Sequence, residues 1–589
     1  MTIDFRNVNT AWASVLVETL YRCGLTMGVI CPGSRSTPLT VAFANHPQID
    51  ALPILDERSA AFFALGRAKK TGIPTALVCT SGTAGVNFYP AVVEAKESSI
   101  PLIILTADRP PELRHCHAGQ TIDQIKLYGN LPNWQCELAL PEANLRMLAY
   151  LRQNMIQAWE QSLFPTPGVV HLNLPFREPL APIVQPELAQ LKAQWGDRDF
   201  FSQVASSLPI PATFTLPVER WQQKSGIIIA GLAQPKDPQE YVKAIANLSQ
   251  QLSFPVLAEA LSPVRNYAEL NPYLISTYDA ILRQNSTAPE LIPEIVIQVG
   301  ELPTSKQLRT WLSNIDVERW IIAPRSDNFD PLHGKTVHIR NSIEQLKYAL
   351  EVDQNTSKHN VSALLCQHWC EVEAQTRINI DTTLESLENL YEAKAAWLIS
   401  KIATPVPIFL ANSMSVRNAE YFWQPNNNQI VPYFSRGANG IDGTLSTALG
   451  IAYKDAGILL TGDLALLHDT NGFLIHQQFR GHLTIVVINN NGGGIFEMLP
   501  IAEFTSEFEV YFATPQSVDI AQLCAAYSIE HHQIDSWQKL TELLNNLPTE
   551  RIRVLELVCD RARDAAWLKS NLGKFSPPYS LHSTKKLNN

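Results

Sequence analysis

Short runs dense in valine, isoleucine and leucine recur along this chain in three clusters, each run followed by a longer stretch of helical period. That rhythm constrains the fold more than any other feature. The first cluster holds Met27–Cys31, Thr75–Thr80, Leu102–Thr106 and Val169–Leu174. The second holds Gly226–Ala230, Pro255–Ala258, Ile295–Val299 and Trp320–Ala323, and the third Ile408–Leu410, Ile458–Thr461, Leu483–Ile488 and Arg553–Val558. A strand that is apolar on both faces must be covered on both, and parallel neighbours need a crossover long enough for a helix. The pattern therefore predicts an α/β protein of three doubly wound parallel-sheet domains in series, and 589 residues suit three or four domains.

Composition marks the seams. Prolines crowd the stretch after the first cluster (Pro179, Pro182, Pro186, Pro209, Pro211), and a segment rich in Glu and Leu precedes the third. The expected division is a first domain over 1–185, a linker over 186–215, a middle domain over 216–352, a helical connector over 353–390 and a last domain over 391–589. The polar end Ser583–Asn589 is expected to fray. No apolar run reaches the roughly 18–20 residues of a membrane span; Gly226–Ala233 reads as a buried strand. The start lacks an apolar signal core, and the nine cysteines show no C-x-x-C pairing. A cytoplasmic protein without a membrane span is expected. Its net charge of −10 argues against nucleic acid as a partner, although local arginines can still gather a small anion.

Chemistry concentrates where the apolar runs end. Ile458–Thr461 runs into Gly462-Asp463, and Leu483–Ile488 into Asn489-Asn490-Asn491-Gly492-Gly493-Gly494, with Asn490 standing 27 residues after Asp463. In a parallel sheet both strands end at one edge, where ligands collect. A carboxylate from Asp463, an amide oxygen from Asn490 and a backbone oxygen from Gly492 form a hard donor set suited to Mg²⁺, with Mn²⁺ an admissible substitute. Read singly, each motif could be a strand-end turn. Glu57 opens a helical stretch in Leu55-Asp56-Glu57-Arg58-Ser59-Ala60-Ala61, where an acid is also favoured by the helix dipole. Further motifs are Ile30-Cys31-Pro32-Gly33-Ser34-Arg35, Thr106-Ala107-Asp108-Arg109-Pro110 with Gln120 beyond it, Asn412-Ser413-Met414-Ser415-Val416-Arg417, Arg436-Gly437-Ala438-Asn439-Gly440-Ile441, and Ile495-Phe496. Arg35, Arg109, Arg417 and Arg436 each follow an expected strand, and arginine is the residue suited to bidentate carboxylate recognition.

In order and spacing these motifs resemble the thiamine diphosphate (ThDP) enzymes, and within them the branch on the route to menaquinone and phylloquinone. Leu464 stands where most of that family has a second glycine, a departure this branch tolerates. The resemblance implies a pyruvate-oxidase-like architecture with a pyrimidine-binding domain first, a middle domain, and a diphosphate-binding domain last. It implies a transferase that decarboxylates 2-oxoglutarate and adds the succinyl-semialdehyde carbanion equivalent 1,4 to isochorismate. Glu57 would activate the cofactor, and Asp463, Asn490 and Gly492 would hold Mg²⁺. Ser413, Gly437, Asn439 and Ile441 would also contact ThDP, with Ile441 bending it. Ser34, Arg35, Arg109, Gln120, Arg417 and Arg436 would hold the acids, Gln120 also serving in proton movement. Ile495 and Phe496 would form an apolar wall. Lys306 would reach in from the middle domain, beside Gln307 where the family carries arginine. The implied assembly is a homodimer at least, with a homotetramer as the larger arrangement, and the cofactor sits between the first domain of one subunit and the last of another.

Two rivals share part of this pattern. A 2-oxoacid decarboxylase or acetolactate synthase would keep Glu57 and Asp463 without needing four arginines, and a non-catalytic ThDP-fold binding protein would be expected to lose the glutamate or the metal ligands. Outside the pattern, His115-Cys116-His117 is read as an extended segment without partner ligands. Cys366, His368 and Cys370 are read as a partly buried helical group. The Gly231–Pro235 turn is read as the relic of an inactive cofactor fold, since it lacks spaced glycines.

Overall fold

The computed structural model describes residues 3–195, 197–206, 216–286, 288–349 and 362–578. Part of the expected linker (207–215), part of the connector (353–361) and the tail Ser583–Asn589 lie outside the described residues. The chain forms three six-stranded sheets. The first contains β1 (Met27–Ile30), β2 (Asp50–Pro53), β3 (Thr75–Cys79), β4 (Leu102–Asp108), β5 (Trp134–Glu137) and β6 (Val169–Pro175), in the order β2-β1-β3-β4-β6-β5. The second contains β7 (Gly226–Ala230), β8 (Val256–Ala258), β9 (Leu274–Ile275), β10 (Ile295–Val299), β11 (Glu318–Ile322) and β12 (Lys335–Ile339), in the order β12-β11-β10-β7-β8-β9. The third contains β13 (Pro407–Leu410), β14 (Val431–Tyr433), β15 (Ala456–Gly462), β16 (His482–Asn489), β17 (Glu530–Ile534) and β18 (Arg551–Val558), in the order β14-β13-β15-β16-β18-β17. Every ladder is parallel. All the apolar runs named above are interior strands of these sheets.

The first and third sheets share a core. Phe62, Phe63 and Leu65 of the helix Glu57–Thr71 pack with Leu445, Leu449 and Tyr453 on and after the helix Thr444–Ala452. The two helices cross at glycines because nothing larger fits. A Cβ on Gly66 would lie 2.0 Å from the Thr447 carbonyl oxygen, and one on Gly450 2.1 Å from that of Phe63. The middle sheet joins the third through a buried ion pair, Arg265 to Glu420 at 3.2 Å. Arg265 Nη1 also donates to the Glu420 carbonyl oxygen (2.9 Å), and Trp423 Nε1 donates to Asn266 Oδ1 (2.9 Å). The helical character expected before the third sheet is met by the helix Ala363–Ser386, where Cys366 is buried and Cys370 half-buried. His115-Cys116-His117 departs from the extended expectation. His115 and His117 both take left-handed backbone (φ 57° and 56°), so the segment coils and its side chains do not alternate along a strand.

A candidate active site in two halves

In the third sheet, Gly462 is in register with Ile488 across β15 and β16, so the residues that follow them meet at one edge. There Asp463, Asn490 and Gly492 line a cavity of about 400 Å³. Asp463 opens the helix Asp463–His468. Its Oδ1 accepts from the Leu464 amide and its Oδ2 from the Gly492 amide, each at 2.8 Å. Burial raises the Asp463 pKa, and these backbone donors act against the rise. Gly492 has φ +134°, and a Cβ there would meet the Ala513 carbonyl oxygen at 2.4 Å, so the turn demands glycine. Asn490 Nδ2 donates to Glu392 Oε1, whereas Asn490 Oδ1 is buried with no partner among the described residues. An orphaned buried amide oxygen beside a buried carboxylate costs free energy unless a cation or water meets it. The arrangement therefore fits a hard divalent ion such as Mg²⁺. Among the described residues no group of three or more His, Cys, Asp or Glu converges on a metal, so such an ion would draw on amide, backbone and ligand oxygens.

The same cavity is lined by Ser413, Arg417, Arg436, Asn439, Ile441, Leu464, Ile495 and Phe496. Ser413 precedes the helix Met414–Phe422 with φ +69° and ψ −129°, a sparsely populated conformation for a residue with a side chain. That turn brings the first residues of the helix, Met414 and Ser415, to the cavity wall, where unpaired amides favour an anion. Arg417 Nη1 donates back to the Ser413 carbonyl oxygen (2.7 Å). Arg436 Nη1 donates to Asn412 Oδ1 (2.9 Å), and its buried Nε has no partner. Burial lowers the pKa of both arginines; at Arg436 the Glu259 carboxylate acts against the fall and the Arg417 charge adds to it. Two desolvated guanidiniums facing one cavity call for a carboxylate. Phe496 packs edge-on against Phe512, with ring centroids 5.6 Å apart, which holds the apolar wall.

The other expected residues gather at the matching edge of the first sheet. Arg35 is buried, with Nη1 on the Phe176 carbonyl oxygen (2.9 Å) and its backbone amide on Thr80 Oγ1 (3.2 Å). Burial lowers its pKa first and the nearby Arg109 second, while Glu178, whose carboxylate stands 3.5 Å from Arg35 Nη2, and Asp108 act against the fall. Arg109 Nη1 donates to Ser81 Oγ, and Gln120 Nε2 donates to the Ser81 carbonyl oxygen (2.9 Å). Ser34 is exposed in the turn after β1. Glu57 is half-buried at the start of its helix, and its charge reaches Cys31 and Cys79 at the ends of β1 and β3. Asp56, the N-cap, accepts from the Ser59 amide (2.9 Å) and from Asn471 Nδ2 (2.8 Å), which fixes the helix start against the third domain.

None of Ser34, Arg35, Glu57, Arg109 or Gln120 lines the third-sheet cavity. Gly437 and Lys306 do not line it either. Gly437 and Ala438 donate their amides to the Glu94 carboxylate at the contact between the first and third domains. Lys306 stands exposed at the first position of the helix Lys306–Asn314, whereas the charge of Arg309, one turn on, is felt at Arg436. Sequence reasoning missed Ser81, Asn412 and Glu392 as site residues. Ser81 follows the apolar run of β3 at the ligand edge, and Asn412 follows β13 in the same way, so the strand-end rule could have found both. Glu392 lies on a helix before the third sheet and carries no local signal.

Comparison with known proteins places this geometry. Residues 11–127 match the family described as thiamine pyrophosphate enzyme, N-terminal TPP binding domain, residues 187–406 its middle domain, and residues 413–556 its C-terminal TPP binding domain. A 2-succinyl-5-enolpyruvyl-6-hydroxy-3-cyclohexene-1-carboxylate (SEPHCHC) synthase of Gloeothece citriformis is 62% identical over 584 residues, covering 98% of this chain and 100% of the relative. The enzyme of that name from Trichodesmium erythraeum is 58% identical, with 98% and 100% covered. The chain belongs to the SEPHCHC synthase family of thiamine pyrophosphate enzymes. Among solved structures, a benzoylformate decarboxylase from Polynucleobacter necessarius superposes with a TM-score of 0.66 at 16% identity, covering 93% of this chain and 98% of that one. At that identity the likeness shows the shared three-domain fold. Leu464 donates its amide to the Asp463 carboxylate and lines the cavity.

Proposed function

We propose that this chain is a ThDP- and Mg²⁺-dependent SEPHCHC synthase, joining a succinyl unit from 2-oxoglutarate to isochorismate with loss of CO₂. The observation that carries this reading is the placement of four arginines: Arg417 and Arg436 line one cavity, and Arg35 and Arg109 bond to the neighbouring Thr80 and Ser81 at the other sheet edge. Both substrates are dicarboxylates, and two guanidinium pairs match the charge of two diacids. A decarboxylase acting on a monocarboxylic 2-oxo acid has no need of the second pair.

ThDP, when bound, supplies the electron sink that lets a 2-oxo acid lose CO₂. Asp463, Asn490 Oδ1 and the Gly492 carbonyl would hold the Mg²⁺ that anchors its diphosphate, and the start of the Met414–Phe422 helix favours the same negative charge. Ser413, Asn439 and Ile441 would shape the cofactor's seat, with Gly437 supporting them from the domain contact. Glu57 would accept a hydrogen bond from the aminopyrimidine ring and so hold it in its reactive tautomer. The arginines orient the acids, Ser34 and Lys306 extend that polar rim, and Ile495 with Phe496 excludes water. Gln120, fixed by the Ser81 carbonyl, can orient a hydroxyl or water but does not itself titrate.

The two half-sites sit on different domains, and the first-domain residues do not line the third-domain cavity, which supports a homodimer in which each copy completes the other; a homotetramer would repeat that contact. No helix among the described residues is long and apolar enough to cross a membrane. All nine cysteines are free, in keeping with a cytoplasmic enzyme. The function is tested by mass spectrometry of the purified protein with ThDP, Mg²⁺, 2-oxoglutarate and isochorismate. A SEPHCHC mass that requires both acids supports it. Free succinic semialdehyde released at the same rate with or without isochorismate would reassign the chain to another ThDP reaction.

A further inference from the structure

Whether Asn490 can serve a cation depends on which end of its amide faces the cavity. An amide has an oxygen at one end and an NH₂ at the other, of nearly the same shape, and only the oxygen can coordinate a metal. Something must therefore fix the rotation of that group. Its outer neighbours do not, because Oδ1 has no partner among the described residues. Behind it, however, Nδ2 donates to Glu392 Oε1, and Glu392 Oε2 accepts Asn418 Nδ2 at 3.1 Å. The Glu392 backbone is pinned in turn, its amide donating to Asp564 Oδ2 at 2.9 Å. Gly494 leaves room for the same amide, since a Cβ there would stand 2.7 Å from Asn490 Nδ2. Glu392 is 5% exposed and has no basic partner among the described residues, so no ion pair there explains its burial.

We propose that Glu392 is a positioning residue for the cation site: by taking the amide hydrogens of Asn490, it keeps Oδ1 turned toward the metal. This rests on the reading of Asp463, Asn490 and Gly492 as the cation's ligands. Residues that orient metal ligands in this way typically change affinity by about 10–100-fold when removed.

The test measures Mn²⁺ binding by electron paramagnetic resonance at saturating ThDP, which reads the cation directly and not turnover. Glu392→Leu removes the acceptor at similar volume and should weaken Mn²⁺ binding by at least about tenfold. The double variant Glu392→Gln/Asn490→Asp reverses the hydrogen bond while leaving an oxygen on the cavity side, and should bind Mn²⁺ within about threefold of the wild type, because orientation no longer matters. Wild-type affinity in Glu392→Leu would overturn the inference, as would failure of the double variant to recover a loss seen in Glu392→Leu. Should Glu392→Leu not fold, the double variant decides by the same criterion. Asp463→Asn separates the two levels. If it loses Mn²⁺ while Glu392→Leu does not, only the role of Glu392 falls; if Asp463→Asn binds Mn²⁺ like the wild type, the cation-site reading falls with it.

Discussion

Replacing Gly66 by alanine adds one methyl group at the crossing of the Glu57–Thr71 and Thr444–Ala452 helices. The new Cβ would lie 2.0 Å from the Thr447 carbonyl oxygen, where ordinary contact begins at about 3.4 Å. The obstacle is backbone, so no side chain can swing away, and the helices must separate by roughly 1 Å or more. They cannot tilt to avoid the methyl, because the reciprocal contact at Gly450, 2.1 Å from the Phe63 carbonyl oxygen, is equally close. Overpacking a well-filled contact costs about 1–3 kcal/mol, and the rigid geometry places this case at the upper end. At about 2.1 cal/mol/K per residue, the 589 residues unfold with an entropy of about 1.2 kcal/mol/K, so the melting temperature should fall by roughly 2–3 °C, read by scanning calorimetry. The same separation moves Glu57 relative to the third domain, so kcat/KM should fall more than the affinity of the third-domain half for Mg²⁺. An unchanged melting temperature in Gly66→Ala would refute the claim that these helices hold the two domains together by close backbone contact.

Three further outcomes follow from the same geometry. Arg436→Lys loses the planar fork beside Asn412 and should lower kcat/KM for the diacid by about 10²-fold, a loss of about 2–3 kcal/mol, with ThDP affinity retained; parallel loss of ThDP binding would count against a substrate role. Burial pushes the Asp469 carboxyl up to about 6 although it accepts two hydrogen bonds from Ser446. The folded chain therefore holds that proton more tightly than the unfolded chain, and stability is lost as pH rises from about 4 through 6. Asp469→Asn should accordingly gain on the wild type by about 2–3 kcal/mol in urea denaturation between pH 4.5 and 7.5, with no such gain contradicting the assignment. Gln120→Ala should slow turnover and alter its pH profile; full turnover with an unchanged profile would remove Gln120 from proton movement.

The interior strands were legible in the sequence for a physical reason. A parallel strand flanked on both sides and covered on both faces is buried throughout, as β3, β4 and β10 are, and it reads as an unbroken apolar run. Edge strands carry no such signal. β5 is half-buried along its length, β12 (Lys-Thr-Val-His-Ile) alternates with solvent, β17 (Glu-His-His-Gln-Ile) is mostly polar, and β9 has two residues. The site shows a similar division. Asp463, Asn490 and the arginines announce themselves at strand ends, where the fold itself delivers ligands. Glu392 comes from a helix outside that sheet edge, and its importance lies in a hydrogen bond that no local pattern encodes. Lys306 matched a pattern in the middle domain, and the structure places it exposed at the first position of its helix, outside the third-sheet cavity.

The central claim, that one active site is assembled from the first domain of one copy and the third domain of another, is tested most directly by mixing two inactive variants. Glu57→Gln disables the first half and Asp463→Asn the second. Refolded together in equal amounts, half of random dimers are mixed, and each mixed dimer carries one intact site of two, so SEPHCHC formation should recover to about one quarter of the wild-type rate. Recovery near that value supports assembly across copies. No activity above the parents, in a preparation where differential tags demonstrate mixed dimers, would contradict it.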